Sequence, residues 1–109
     1  MRFLVKVNIP VCSGNKAVKD GSLGKTIQKI LAEQKPEAAY FVAEDGQRCG
    51  YMIINMDNAS KIPSIAEPWF LAFNASVEMK PAMVIDDLQK AGQDFVSSVK
   101  NYAQECVTV

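Results

Sequence analysis

Histidine is missing from this sequence of 109 residues. Its absence excludes Ser-His-Asp and Cys-His catalytic pairs, zinc sites with histidine ligands and a proximal histidine for haem. The three cysteines lie far apart and form no C-x-x-C pair, which argues against structural disulfides and a cysteine zinc site. We therefore expect no metal site and no cofactor, and the sequence identifies no catalytic residue.

A net charge is also missing, since twelve basic and twelve acidic side chains cancel. Without a run of Lys or Arg, the sequence has no electrostatic footprint for nucleic acid or anionic lipid. No apolar run approaches the ~18–20 residues that span a bilayer, and the alternating residues 1–10 do not resemble a signal peptide. We expect a cytoplasmic protein that binds neither nucleic acid nor membrane.

Hydrophobic residues make up 49% of the chain, which is enough for one core at this length. Residues 2–9 alternate with period two and predict a strand with one well-buried face. The alternation separates Phe3, Val5, Val7 and Ile9 from Leu4, Lys6 and Asn8.

The segment after this strand predicts a helix with Ser13 or Asn15 as its N-cap, ending near Lys35. Gly21 and Gly24 inside the helical pattern predict that its first part is loose or broken.

Residues 38–43 and 48–56 predict two further strands, joined by a tight hairpin turn at Asp45-Gly46. The second of these strands is apolar almost throughout, which predicts burial on both of its faces.

The rest of the chain predicts a helix, a short strand and a C-terminal helix. Residues 62–73 have the i, i+3, i+4 apolar spacing of a helix, which Pro68 should kink or divide. A strand over 75–79 is stopped by Pro81. The last helix begins at Asp86-Asp87 and carries an apolar stripe that runs nearly to the end of the chain.

This βαββαβ order predicts an α+β, ferredoxin-like fold with a four-stranded antiparallel sheet and an extra C-terminal helix. We expect a single domain over residues 1–109, with a βαββαβ core at 2–83 and a helical extension at 84–109. The second face of the sheet should be covered by that extra helix or by a second copy of the chain. A homodimer is the expected answer, since two-fold pairing is the commonest closed symmetry.

Several segments together resemble the dimeric α+β barrel superfamily. They are Met-Arg-Phe-Leu-Val-Lys-Val at 1–7, residues 36–45, Ile-Ala-Glu-Pro-Trp-Phe at 65–70 and Val-Glu-Met-Lys-Pro at 77–81. The resemblance covers residues 2–90, and the chain is most similar there to small uncharacterised bacterial proteins. It implies a homodimeric barrel. The superfamily includes muconolactone isomerase-like proteins, cofactor-free aromatic monooxygenases and haem-degrading monooxygenases; the absence of histidine separates this chain from the last group.

The candidate ligand-binding residues are aromatic or amide side chains. Trp69, Phe70 and Phe73 share a helical spacing and are expected to line an aromatic pocket between helix and sheet; simple core packing is the alternative. Tyr40 is a candidate source of a hydroxyl group. The resemblance adds Asn8, because monooxygenase members use an Asn and a Trp, although the alternation places Asn8 away from the helix-side core.

Other strand side chains are weaker candidates. Tyr51 is a second source of a hydroxyl group, while Arg48 and Glu78 are expected to be solvated or paired at the sheet surface.

Three functions remain open. The first is an uncharacterised homodimeric domain that binds a small apolar or aromatic molecule in a helix–sheet pocket, since no acid–base constellation is visible. The second, implied by the resemblance, is a cofactor-independent monooxygenase or isomerase acting on an aromatic or lactone substrate. The third is an interaction module in which the stripe around Phe95, Val99 and Tyr102 docks on another protein.

Overall fold

The computed structural model describes residues 1–106. Its four strands are β1 (Arg2–Ile9), β2 (Ala38–Glu44), β3 (Gln47–Asn55) and β4 (Ser76–Ala82). Its five helices are α1 (Val11–Lys19), α2 (Leu23–Gln34), α3 (Ile62–Phe73), α4 (Ile85–Lys90) and α5 (Gly92–Tyr102), and a 3₁₀ turn (Ala59–Lys61) precedes α3. The predicted α+β class is confirmed. None of the helices over 1–106 is long and apolar enough to cross a membrane.

The sheet is antiparallel with the strand order β2-β3-β1-β4, as in a ferredoxin-like arrangement. In the middle of the sheet, Val5 of β1 lies opposite Met52 of β3 and Met79 of β4. β2 and β4 form the two edges, so the sheet in the described part of the chain is open and does not close into a barrel.

Helices α1, α2 and α3 cover one face of this sheet, which we call the helix face. The core lies between these helices and the sheet. It is built from the buried side chains of Val5, Val7, Ile9, Ala17, Ile30, Met52, Ile54, Met56, Ile65, Trp69, Phe73 and Ala75. Trp69 is 0% exposed and is the largest of the fully buried side chains. We call the opposite face of the sheet the open face, because no helix within residues 1–106 packs over it.

The predicted first helix is two helices, as Gly21 and Gly24 indicated. Gly21 lies between α1 and α2 with φ +80°, a backbone conformation that glycine adopts without strain. The predicted N-cap was wrong, because α1 already begins at Val11, after Pro10, whose fixed φ suits a helix start. Ser13 instead lies inside the first turn, where its hydroxyl donates to the carbonyl of Phe73 at 2.5 Å and ties α1 to α3.

The Asp45-Gly46 turn is confirmed. The two residues have φ values of +53° and +74°, the positive values that a type I′ hairpin turn requires. At the other edge, β4 continues through Pro81 to Ala82, beyond the predicted end. Proline is tolerated there because β4 is an edge strand, which needs no hydrogen bond on its outer side.

Helix α3 runs unbroken through Pro68, and the side chain of Gln34 explains how. A proline has no N–H for the carbonyl four residues earlier, here Ser64. The Gln34 Nε2 atom donates to the carbonyls of Ser64 at 3.3 Å and Ile65 at 2.9 Å. Its Oε1 accepts from the Nε1 atom of Trp69 at 3.4 Å. One amide at the end of α2 thus satisfies both the interrupted helix and the buried indole.

The predicted C-terminal helix is two short helices, α4 and α5, and we call residues 85–102 the C-terminal arm. Its apolar side chains are exposed, Phe95 by 57% and Val99 by 66%. α4 and α5 make their main packing contact with each other. The radius of gyration is 18.8 Å, against ~13 Å for a compact domain of this length. The arm therefore extends away from the sheet instead of covering its open face.

We expect Gln34→Met to lower the free energy of unfolding by about 1–3 kcal/mol, because it leaves the Trp69 indole N–H and the Ser64 carbonyl without their side-chain partner. Met matches Gln in size and helix propensity. Urea denaturation followed by circular dichroism measures the change. The control is Gln28→Met, an exposed position in the same helix, which should stay within about 0.5 kcal/mol of wild type. Equal losses in both variants would contradict this role for Gln34.

Candidate functional site

The structure does not bring the five predicted ligand-binding residues together. Trp69 and Phe73 pack in the core with ring centroids 6.2 Å apart. Phe70 is 39% exposed on the outer side of α3. Asn8 and Tyr40 lie on the open face, where Tyr40 is 69% exposed. The sheet therefore separates Trp69 from Asn8, and Trp69 and Phe73 are core residues in this chain.

An apolar cavity lies elsewhere, at the β2 edge of the helix face, and we call it the edge cavity. It has a volume of about 300 Å³ and is open to solvent on one side. Helix α2 and strands β1, β2 and β3 form its walls, with lining residues that include Ile9, Leu23, Ile27, Phe41, Ala43 and Arg48.

The cavity exists because the helices cover this corner of the sheet incompletely. Phe41 points to the helix face but remains 50% exposed. Its ring lies close to Gly50, where an added Cβ atom would stand 3.0 Å from the Phe41 Cε1 atom. Gly50 thus lets an aromatic ring form part of the cavity wall at the level of the sheet.

Arg48 is the charged residue of this cavity. It pairs with Ile9 on β1 and Ala43 on β2, so its side chain lies on the helix face and not on the open face. Its Nη2 atom donates to the Oδ1 atom of Asn15 at 3.1 Å. Its Nη1 atom lies over Gly14, only 2.6 Å from where a Cβ would stand. Within residues 1–106, no carboxylate forms a salt bridge with Arg48.

A polar cluster occupies the open face. The Lys6 Nζ atom lies 2.7 Å from the Oε2 atom of Glu44. The Tyr51 hydroxyl donates to the same carboxylate, 2.6 Å from Oε1. The ammonium of Lys6 and the hydroxyl of Tyr51 lower the pKa of Glu44. In return, the Glu44 carboxylate raises the pKa of Lys6 and that of Tyr51.

These shifts define what the cluster can do chemically. The contacts favour a charged Lys6, a charged Glu44 and a neutral Tyr51, which are the ordinary states of these side chains at neutral pH. The cluster therefore fixes a neutralised ion pair on the open face and supplies no free general base. Among the side chains of residues 1–106, no group of three or more Cys, Asp or Glu could hold a metal ion.

A family model described as "Domain of unknown function (DUF3303)" matches residues 1–96. The chain belongs to the DUF3303 family. The match includes all four strands, the edge cavity and the polar cluster, and it ends inside α5. Both candidate sites of this DUF3303 protein thus lie within the family domain.

Comparison with solved structures finds a likeness to a formyltetrahydrofolate deformylase from Pseudomonas putida KT2440. The two share 15% sequence identity with a TM-score of 0.48, over 86% of the DUF3303 chain and 38% of the deformylase chain. The DUF3303 chain thus corresponds to well under half of that protein's length. No curated protein matches the sequence.

Sequence reasoning missed the position of Arg48 and the pairing of Lys6 with Glu44. A signal for Arg48 was present. It lies an even number of residues from Met52 and Ile54, so the alternation of β3 places all three side chains on the buried face. No local signal joins Lys6 to Glu44, since that contact depends on how β1, β2 and β3 are registered.

We expect the ion pair to make stability sensitive to acid. The folded-state pKa of Glu44 lies below its ordinary value of 4.5. Its stabilising contribution is therefore present above that pH and is lost as pH falls through the folded-state pKa. The free energy of unfolding of the wild type should consequently fall more steeply from pH 6 to pH 3 than that of Glu44→Gln, as measured by urea denaturation.

Glu67→Gln provides the matched control. Glu67 is exposed on α3, so this variant should keep the acid dependence of the wild type. If Glu44→Gln and wild type show the same dependence on pH, the cluster does not contribute to folding stability.

Proposed function

We propose that the protein is a homodimeric domain that binds a small, mostly apolar molecule. The edge cavity carries this proposal. Its volume of about 300 Å³ is at the lower end of the range for small-molecule sites, which are mostly lined by apolar and aromatic side chains with a few polar groups. Leu23, Ile27 and Phe41 supply that lining and Arg48 the polar group.

Filling the cavity should abolish binding. Ala43 is exposed at its wall on the edge strand β2, so Ala43→Trp places an indole in the cavity without displacing core residues. We expect the neutral probe 1-octanol to bind the wild type and to lose about tenfold or more of its affinity in this variant, a change of ~1.4 kcal/mol. Isothermal titration calorimetry measures both affinities.

The control is Ala72→Trp, an exposed position on α3 away from the cavity. It should bind 1-octanol as the wild type does. If Ala43→Trp binds 1-octanol as tightly as the wild type does, the edge cavity is not a ligand site.

The dimeric part of the proposal rests on two uncovered surfaces of the same chain. On the open face, Leu4 and Ile53 are half-buried and face solvent. On the C-terminal arm, Phe95, Val99 and Tyr102 form an exposed apolar stripe. Contiguous exposed apolar surface commonly marks an interaction site. In a dimer with two-fold symmetry, the C-terminal arm of each chain packs on the other chain, which covers both surfaces at once.

Charging the stripe should separate the dimer. We expect the double variant Phe95→Asp, Val99→Asp to give the mass of one 12.0 kDa chain, while the wild type gives that of two, by size-exclusion chromatography with light scattering. The control is Ser97→Asp, Asn101→Asp, which adds the same charges at the same spacing on the opposite side of α5. A dimer in all three proteins would remove the arm from the interface.

The geometry supports the other two candidate functions, a monooxygenase or isomerase and an interaction module, less well. For a cofactor-independent monooxygenase or isomerase, Trp69 and Asn8 would have to meet at one site, and the sheet separates them. An interaction module with a different protein is supported by the same exposed stripe, and a monomeric wild type would favour it over the homodimer.

The three cysteines are unpaired, which supports our placement of the protein in the reducing cytoplasm.

A further inference from the structure

We propose that the ligand of the edge cavity is a monocarboxylate with a short apolar chain, and that its carboxylate pairs with Arg48. This inference rests on the proposed function and goes beyond it by naming the chemical class of the ligand. It follows from the combination of apolar walls with one cation that forms no salt bridge with any carboxylate of residues 1–106.

The walls determine the body of the ligand. Leu23 and Ile27 of α2 and Phe41 of β2 line the cavity, so the enclosed part of the ligand has to be apolar. A cavity of about 150 Å³ is enough for benzene. The edge cavity is about 300 Å³, and this room suits an aliphatic chain of about eight carbons or a substituted aromatic ring.

Arg48 determines the polar end. A guanidinium has five N–H donors in a planar fork that matches a carboxylate. Here one of them is used by Asn15, which leaves donors for a bidentate pair. Charge-assisted hydrogen bonds of this kind are roughly twice as strong as neutral ones, so the site should favour an acid over its neutral analogue.

The guanidinium is also held in position before any ligand arrives. Asn15 fixes it from α1 through its Oδ1 atom. The buried Gly14 leaves the space that the Nη1 atom fills. A preorganised cation loses less conformational freedom on binding, which favours affinity.

Octanoate and 1-octanol test the inference because they share a chain and differ in charge. By isothermal titration calorimetry below the micelle concentration, wild type should bind octanoate about tenfold or more tightly than 1-octanol. Arg48→Met should remove this preference, because it should weaken octanoate about tenfold or more and weaken 1-octanol much less. Arg48→Lys, which keeps the charge without the fork, should be intermediate.

Arg2→Met is the matched control. It removes an arginine at the opposite end of β1, where Arg2 pairs with Glu37, and it should keep the octanoate preference. Circular dichroism establishes that each variant is folded; if Arg48→Met does not fold, Arg48→Lys and the wild-type preference still decide the result.

The outcomes separate this inference from the proposed function. If 1-octanol binds but octanoate binds no better, or if Arg48→Met retains the preference, the carboxylate assignment is overturned while the apolar site stands. If neither probe binds the wild type, both fail. A preference for octanoate that disappears with Arg48 supports both.

Discussion

The side-chain amide of Gln34 holds together the layer of helices on which the rest of the structure depends. Pro68 interrupts the hydrogen bonding of α3 at the point where Trp69 enters the core. From the end of α2, Gln34 donates to the Ser64 carbonyl that Pro68 leaves free and accepts from the buried indole. Buried polar groups are costly unless paired, so this amide lets α3 keep a proline and a tryptophan side by side. With α2 and α3 joined in this way, the three helices form one layer over the helix face.

That layer accounts for both proposed surfaces. The helices cover the middle of the helix face but leave the β2 edge uncovered, which creates the edge cavity beside Arg48. Within residues 1–106, they also leave the open face and the C-terminal arm uncovered. The ion pair of Lys6 with Glu44 lies on that open face. Because it is already neutralised and hydrogen-bonded by Tyr51, covering it costs less than burying two separate charges.

The elements could be predicted from local sequence, whereas the sites depend on contacts between distant elements. Alternation in residues 2–9 and the Asp45-Gly46 turn act over a few residues, and both predictions were correct. The α1 start was mispredicted because Pro10 sets the backbone before the capping residues do. Trp69 was assigned to a pocket because helical spacing cannot distinguish a pocket wall from a core. The position of Arg48 beside Asn15 and the reach of Glu44 to Lys6 follow from strand register, which no single segment determines.

Native mass spectrometry on freshly purified, untagged protein tests the central claim most directly, namely that two copies form a dimer with a small-molecule site in each. We expect a species of two 12.0 kDa chains, which carries a discrete small adduct when a ligand of the edge cavity is retained. Two bare chains that gain mass on addition of octanoate would agree equally well. A bare single chain that takes up neither a partner nor a ligand would contradict the account.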